Sequence, residues 1–145
     1  MNYTSIEQSK KLLELGLSPK SADMCYLNDG TAAKVDANSY NIAVQLWKDY
    51  YVEITPCWSV GALLEVMPAT IQTKESTEPY TLMLFKRAQT ADEGDFYEVE
   101  YGYRQPVTVG WLNAWYETKG GTGLVTVLYD MVIWLLKNGY IKKEE

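Results

Sequence analysis

The chain has 145 residues, 47% of them hydrophobic and 22% charged, which fits one folded domain and excludes extensive disorder. Its 13 Lys and Arg against 19 Asp and Glu leave a net charge of −6, a field that repels phosphate backbones and argues against nucleic acid as a partner. It contains no histidine, which removes Ser-His-Asp and Cys-His nucleophiles, HExxH zinc sites and the side chain best suited to proton transfer near neutral pH.

The opening Met1-Asn2-Tyr3-Thr4-Ser5 is polar and unlike the apolar core of a signal peptide. No segment reaches the ~18 uninterrupted apolar residues of a membrane span. A cytoplasmic protein with no membrane association is expected. Thr4 or Ser5 caps a first helix that carries Glu7 and Gln8 in its first turn. Gly16 ends it in a left-handed conformation. Ser18-Pro19 starts a short helical turn through Ala22, and Met24 to Leu27 reads as a strand leading into an Asn28-Asp29-Gly30 turn. Residues 31–39 are small and polar and read as loop. Residues 40–49 mix strand alternation with helical spacing, and helix is the favoured assignment. Val52 to Ile54 is a short extended piece.

Ser59 is placed to cap a helix over Val60 to Val66, which Pro68 closes. Ala69 to Lys74 and Tyr80 to Arg87 read as two strands of a hairpin. The second is apolar on both faces, which suggests a central strand. After an acidic turn at Ala91 to Asp95, Phe96 to Arg104 alternates plainly. Tyr97, Val99, Tyr101 and Tyr103 share one face, and Glu98, Glu100 and Arg104 share the other. Pro106 interrupts, and Trp111 to Glu117 returns as a further strand. Gly120-Gly121-Thr122-Gly123 then opens a strongly apolar helix over Leu124 to Asn138, with Asn138-Gly139 as its stop and Tyr140 folding back on Leu135. The expected fold is α+β: an antiparallel meander sheet of about four strands packed against helices, with a buried C-terminal helix, in a single domain spanning residues 1–145.

The two cysteines, Cys25 and Cys57, form no CxxC pair and are expected to be buried free thiols; a disulfide between them would need an oxidising compartment. Asp92, Glu93 and Asp95 fail the calcium-loop template, so no metal is expected. No cofactor motif is present: the glycine turn lacks both the P-loop and the dinucleotide pattern. Its free N–H groups could still meet an anion, aided by Lys119, Gly121 and Thr122. Glu98 and Glu100 could form an acid–base pair, but a solvated strand face is the stronger reading. No catalytic residue is assigned.

The most unusual feature is aromatic. There are 12 Tyr and 5 Trp against 2 Phe, and both abundant types pair a broad apolar ring with a polar tip suited to interfaces. Tyr101, Tyr103, Trp111 and Trp115 lie close in sequence, with Arg104 beside them. They form the candidate surface for a partner or ligand unless the C-terminal helix covers them, and coverage is the favoured reading.

Three segments, "SIEQSKKLLELGLSPKSADM" from Ser5 to Met24, "PCWSVGALLEVMP" from Pro56 to Pro68 and "MVIWLLKNGYI" from Met131 to Ile141, resemble parts of a group of small proteins from Bacteroides-type gut bacteria and their phages. The group brings no established activity, cofactor or site residue. The resemblance implies an accessory protein of a prophage or other mobile element. The functional expectation is therefore a non-enzymatic interaction protein whose aromatic surface binds a protein partner or a second copy. The alternative is a binder of a nucleotide-like small molecule, with Arg104, Lys119 and the glycine turn meeting phosphate. A carboxylate-based hydrolase is the remote third.

Overall fold

A computed structural model describes residues 2–27, 32–34, 54–88, 94–107 and 110–144, with side chains for all of these but 32–34, 104–107 and 110–115. The readings made for residues 28–31, 35–53 and 89–93 lie outside the described residues.

Helix α1 (Ile6–Glu14) begins in a reciprocal capping box: the Gln8 N–H donates to Ser5 Oγ at 3.1 Å and the Ser5 N–H donates to Gln8 Oε1 at 2.9 Å. It ends where the Gly16 N–H meets the Leu13 carbonyl and the Leu17 N–H meets the Leu12 carbonyl, both at 3.0 Å. Gly16 has φ 98°, and a Cβ there would also stand 2.9 Å from Lys143 Cβ. Two constraints, one of dihedral angle and one of space, therefore select glycine. A 3-10 turn, Pro19–Ser21, follows.

Strands β1 (Met24–Leu27), β2 (Ala32–Lys34) and β3 (Ile54–Cys57) form a small antiparallel sheet in the order β2-β1-β3. The loop expected at 31–39 thus contains a strand. Its three residues carry no periodicity, and pairing with β1 creates the strand. Met24 faces Cys57 across the ladder, and Cys25 faces Pro56. Cross-strand partners share a face, so the two thiols point to opposite sides. Both are buried and free. Burial pushes the Cys57 thiol up to about 12.

Helix α2 (Val60–Val66) is capped by Ser59, whose Oγ accepts from the Ala62 N–H at 3.2 Å. The Asp23 carboxylate fixes that cap: it accepts from the Ser59 N–H at 2.9 Å and from the Ser59 hydroxyl. Strands β4 (Thr70–Ile71), β5 (Tyr80–Ala88), β6 (Asp95–Val107) and β7 (Gly110–Gly121) form an antiparallel meander in that order. Two expectations need correction here. The strand foreseen over 69–74 is only Thr70–Ile71, so β5 is central over Tyr80 to Leu82 and an edge beyond. Pro106 does not stop β6. Past Gly102 that strand pairs only with β7, so one side of its backbone is unpaired within the sheet and a missing N–H there costs no ladder bond. Gly120, expected in a loop, sits inside β7, where a Cβ would meet Phe96 Cζ at 2.8 Å; the ring lies over the glycine opposite.

Helix α3 (Leu124–Lys137) is the main buried element: Val125, Val127, Leu128, Met131, Val132, Leu135 and Leu136 are all buried. It closes with the Tyr140 N–H on the Leu135 carbonyl at 2.9 Å. Its apolar surface meets Val99 and Tyr101 of β6, Leu63 and Met67 around α2, and Leu12 of α1 in one core. The fold is α+β, with the C-terminal helix buried between the meander and the two earlier helices. Among the described residues, no helix is long and apolar enough to cross a membrane.

Candidate functional site

The tyrosine face of β6 divides in two. Val99 and Tyr101 are fully buried beneath α3. The Tyr101 hydroxyl donates to the Pro68 carbonyl at 2.7 Å, and burial raises its phenol above the ordinary range. Tyr101 is therefore a core residue joining the sheet to the end of α2. Its earlier placement on a contact surface is corrected. Tyr103, two residues on, lies past the helix and is only half-buried.

From Tyr103 a row of rings runs across the sheet and up onto α3. Tyr103 stacks on Tyr80 with centroids 5.7 Å apart, and Tyr80 stacks on Tyr116 at 5.1 Å. Tyr116 meets Trp134 edge-on at 5.8 Å, and Trp134 stacks on Tyr140 at 5.4 Å. Tyr116, in the middle, is 38% exposed, and the other four rings are half-buried. Burial, together with the neighbouring Tyr116, raises the Tyr140 phenol, so these hydroxyls remain neutral donors and acceptors.

A bulge assembles this row. Tyr101 pairs with Glu117, but the next residue, Gly102, pairs with Trp115, leaving Tyr116 as an extra residue on β7. Strict alternation would send Tyr116 to the face away from Glu117 and Tyr101. The bulge returns its ring to their side, against Tyr80. At the other end, the turn after α3 folds Tyr140 back beside Trp134, three residues before the helix ends. Tyr80, Tyr116, Trp134 and Tyr140 were not among the candidates drawn from sequence. The Asn138-Gly139-Tyr140 stop was the one available pointer, because a Schellman turn directs the residue after the glycine back onto its helix.

The other candidates are scattered. Arg104 lies on β6, and Trp111 and Trp115 on β7, with side chains outside the described residues. The Lys119 amine lies 3.8 Å from Glu117, and its charge counters the burial that raises the Asp130 carboxyl on α3. Lys119 is thus committed to carboxylates. Gly121 ends β7, Thr122 is exposed, and Gly123 is the N-cap of α3 without a side-chain bond. Beside it lies a cavity of ≈ 320 Å³ lined by Tyr3, Ser5, Gln8, Gly123, Val125 and Thr126, none of them cationic.

On the opposite face of β6, Glu98 pairs with Arg87 at 3.2 Å. Glu100, between Met83 of β5 and Thr118 of β7, is only 8% exposed. Burial, and secondly the Glu98 charge, raises its carboxyl above the ordinary 4.5. The expectation of a solvated glutamate face is corrected for Glu100. Two carboxyls with separated environments are one ingredient of acid–base chemistry. Their cross-strand and same-strand neighbours on this face include the apolar Met83, Phe85 and Phe96.

Compared with family models, curated proteins and solved structures, the chain matches none. The reading of its function therefore stands on these side chains.

Proposed function

We propose that this chain is a non-catalytic accessory protein that binds a protein partner through the row Tyr103, Tyr80, Tyr116, Trp134 and Tyr140. The observation that carries the reading is the bulge at Tyr116, an irregularity in a regular ladder whose effect is to place a fifth ring in a continuous, partly exposed band. Rings already stacked on one another lose little conformational freedom when a partner covers them, and tyrosine and tryptophan supply much of the energy of known interfaces. The resemblance of three segments to small phage and gut-bacterial proteins supports an accessory role in a mobile element. Those segments supply α1, α2 and the end of α3, which pack together as core around Leu12, Leu63 and Leu135.

A nucleotide-sequestering role has less support. The row's ring faces are largely taken up by one another, and Lys119 is engaged by Glu117. The test uses the purified chain as bait in an extract of its native host, comparing wild type with Tyr116→Ser, Trp134→Ala and, as a distant surface control, Glu65→Gln. A partner retained by wild type and the control but lost by both row variants is expected, with circular dichroism unchanged. Retention by the row variants, or a rise in melting temperature with a nucleotide, would overturn the reading.

A further inference from the structure

A second surface lies at the far end of β5, away from the aromatic row. The Leu82 N–H donates outward to Ala69 at 2.9 Å, so the even-numbered residues of β5 direct their backbone groups away from β6. That bond marks where β4 ends. Beyond it, among the described residues, Leu84, Lys86 and Ala88 present N–H and C=O groups along an open edge. The same stretch carries two of the most exposed large apolar side chains, Leu84 at 43% and Phe85 at 41%, one on each face of the sheet.

Such an edge is a template for another strand, and proteins usually guard it with charge. Lys86 and Arg87 stand here, but each is held by its own chain. Lys86 lies 3.2 Å from Asp95, and Arg87 lies 3.2 Å from Glu98. The centre of the edge is left as Leu84-Phe85.

We propose that β5 pairs antiparallel with β5 of a second copy of this chain, with Phe85 on the two-fold axis. The register follows from two conditions. Partners in a continuous sheet share a face, so positions of the same parity must pair. The open segment is Met83 to Ala88, so the pairing must centre within it. Centring on Lys86 sets like charges opposite each other, which is destabilising. Centring on Phe85 sets Leu84 against Lys86 of the other copy and Met83 against Arg87. The Leu84–Lys86 pairs are hydrogen-bonded, using the outward-facing groups. The Phe85–Phe85 pair is the close, non-hydrogen-bonded kind, with Cα atoms about 4.5 Å apart. Each arginine is then delivered beside Met83 and toward Glu100, the buried carboxyl of the neighbouring strand. This charge complementarity favours a second copy over an unrelated strand. The ladder is short, so the dimer is weak.

The test is sedimentation velocity on the full chain from about 1 µM to about 1 mM, the Kd span suited to an interface smaller than about 1,200 Å². The expected result is a reversible monomer–dimer transition for wild type and a monomer throughout for Phe85→Lys. Mild oxidation tests the register independently. Phe85→Cys should form a disulfide-linked dimer, because its Cα spacing falls in the disulfide range. Ala88→Cys should not, because its two copies lie about 20 Å apart along the strands. A wild-type monomer at every concentration, a dimer indifferent to Phe85→Lys, or cross-linking at both cysteine positions would overturn the proposal.

Discussion

At the residue scale, Glu100 shows how a ladder position changes a side chain's chemistry. It belongs to the alternating set that should face water, yet only 8% of it is exposed and its carboxyl is raised by burial. A carboxyl whose folded-state pKa exceeds its unfolded value binds its proton more tightly when folded. Its contribution is full below the unfolded value near 4.5 and is lost as pH rises through the folded value. Glu100→Gln keeps the shape and removes the ionisation. It should raise the melting temperature at pH 7 by a few degrees and leave it unchanged at pH 4, as thermal melts at the two values would show.

At the scale of the element, caps decide where helices start. Ser59 holds the first turn of α2 and is itself held by Asp23 from the segment before β1. Ser59→Ala should destabilise the chain by about 1–2 kcal/mol in urea titrations, since it removes the cap and one of the bonds to Asp23. Bulges act at the same scale in sheets. One extra residue in β7 leaves the strand intact but changes which way Tyr116 points, and so builds the aromatic row.

For the whole molecule, α3 is the common wall. Leu128 is fully buried in the core that joins the meander, α2 and α1. Leu128→Ala should cost about 2–5 kcal/mol, the range for truncating a buried leucine. Because one core holds all these elements, the loss should appear as a single shifted transition. Fluorescence and circular dichroism should then give the same midpoint in urea. Two transitions would show that the β2-β1-β3 sheet melts separately.

Legibility in the sequence followed the range of the forces involved. The Ser5 and Ser59 caps, the Pro68 stop, the alternation of Phe96 to Arg104 and the apolar α3 depend on neighbours within a few residues. They could be read directly, and with them the α+β class and the four-stranded meander. The rest depended on residues distant in the chain. Ala32-Ala33-Lys34 becomes a strand only against β1, and Glu100 and Tyr101 are buried only by what packs over them. The same is true of function. The wealth of tyrosine and tryptophan was evident from composition alone. Which rings join into a row was decided by a bulge and a helix stop that bring Tyr80, Tyr116, Trp134 and Tyr140 together across some sixty residues of chain.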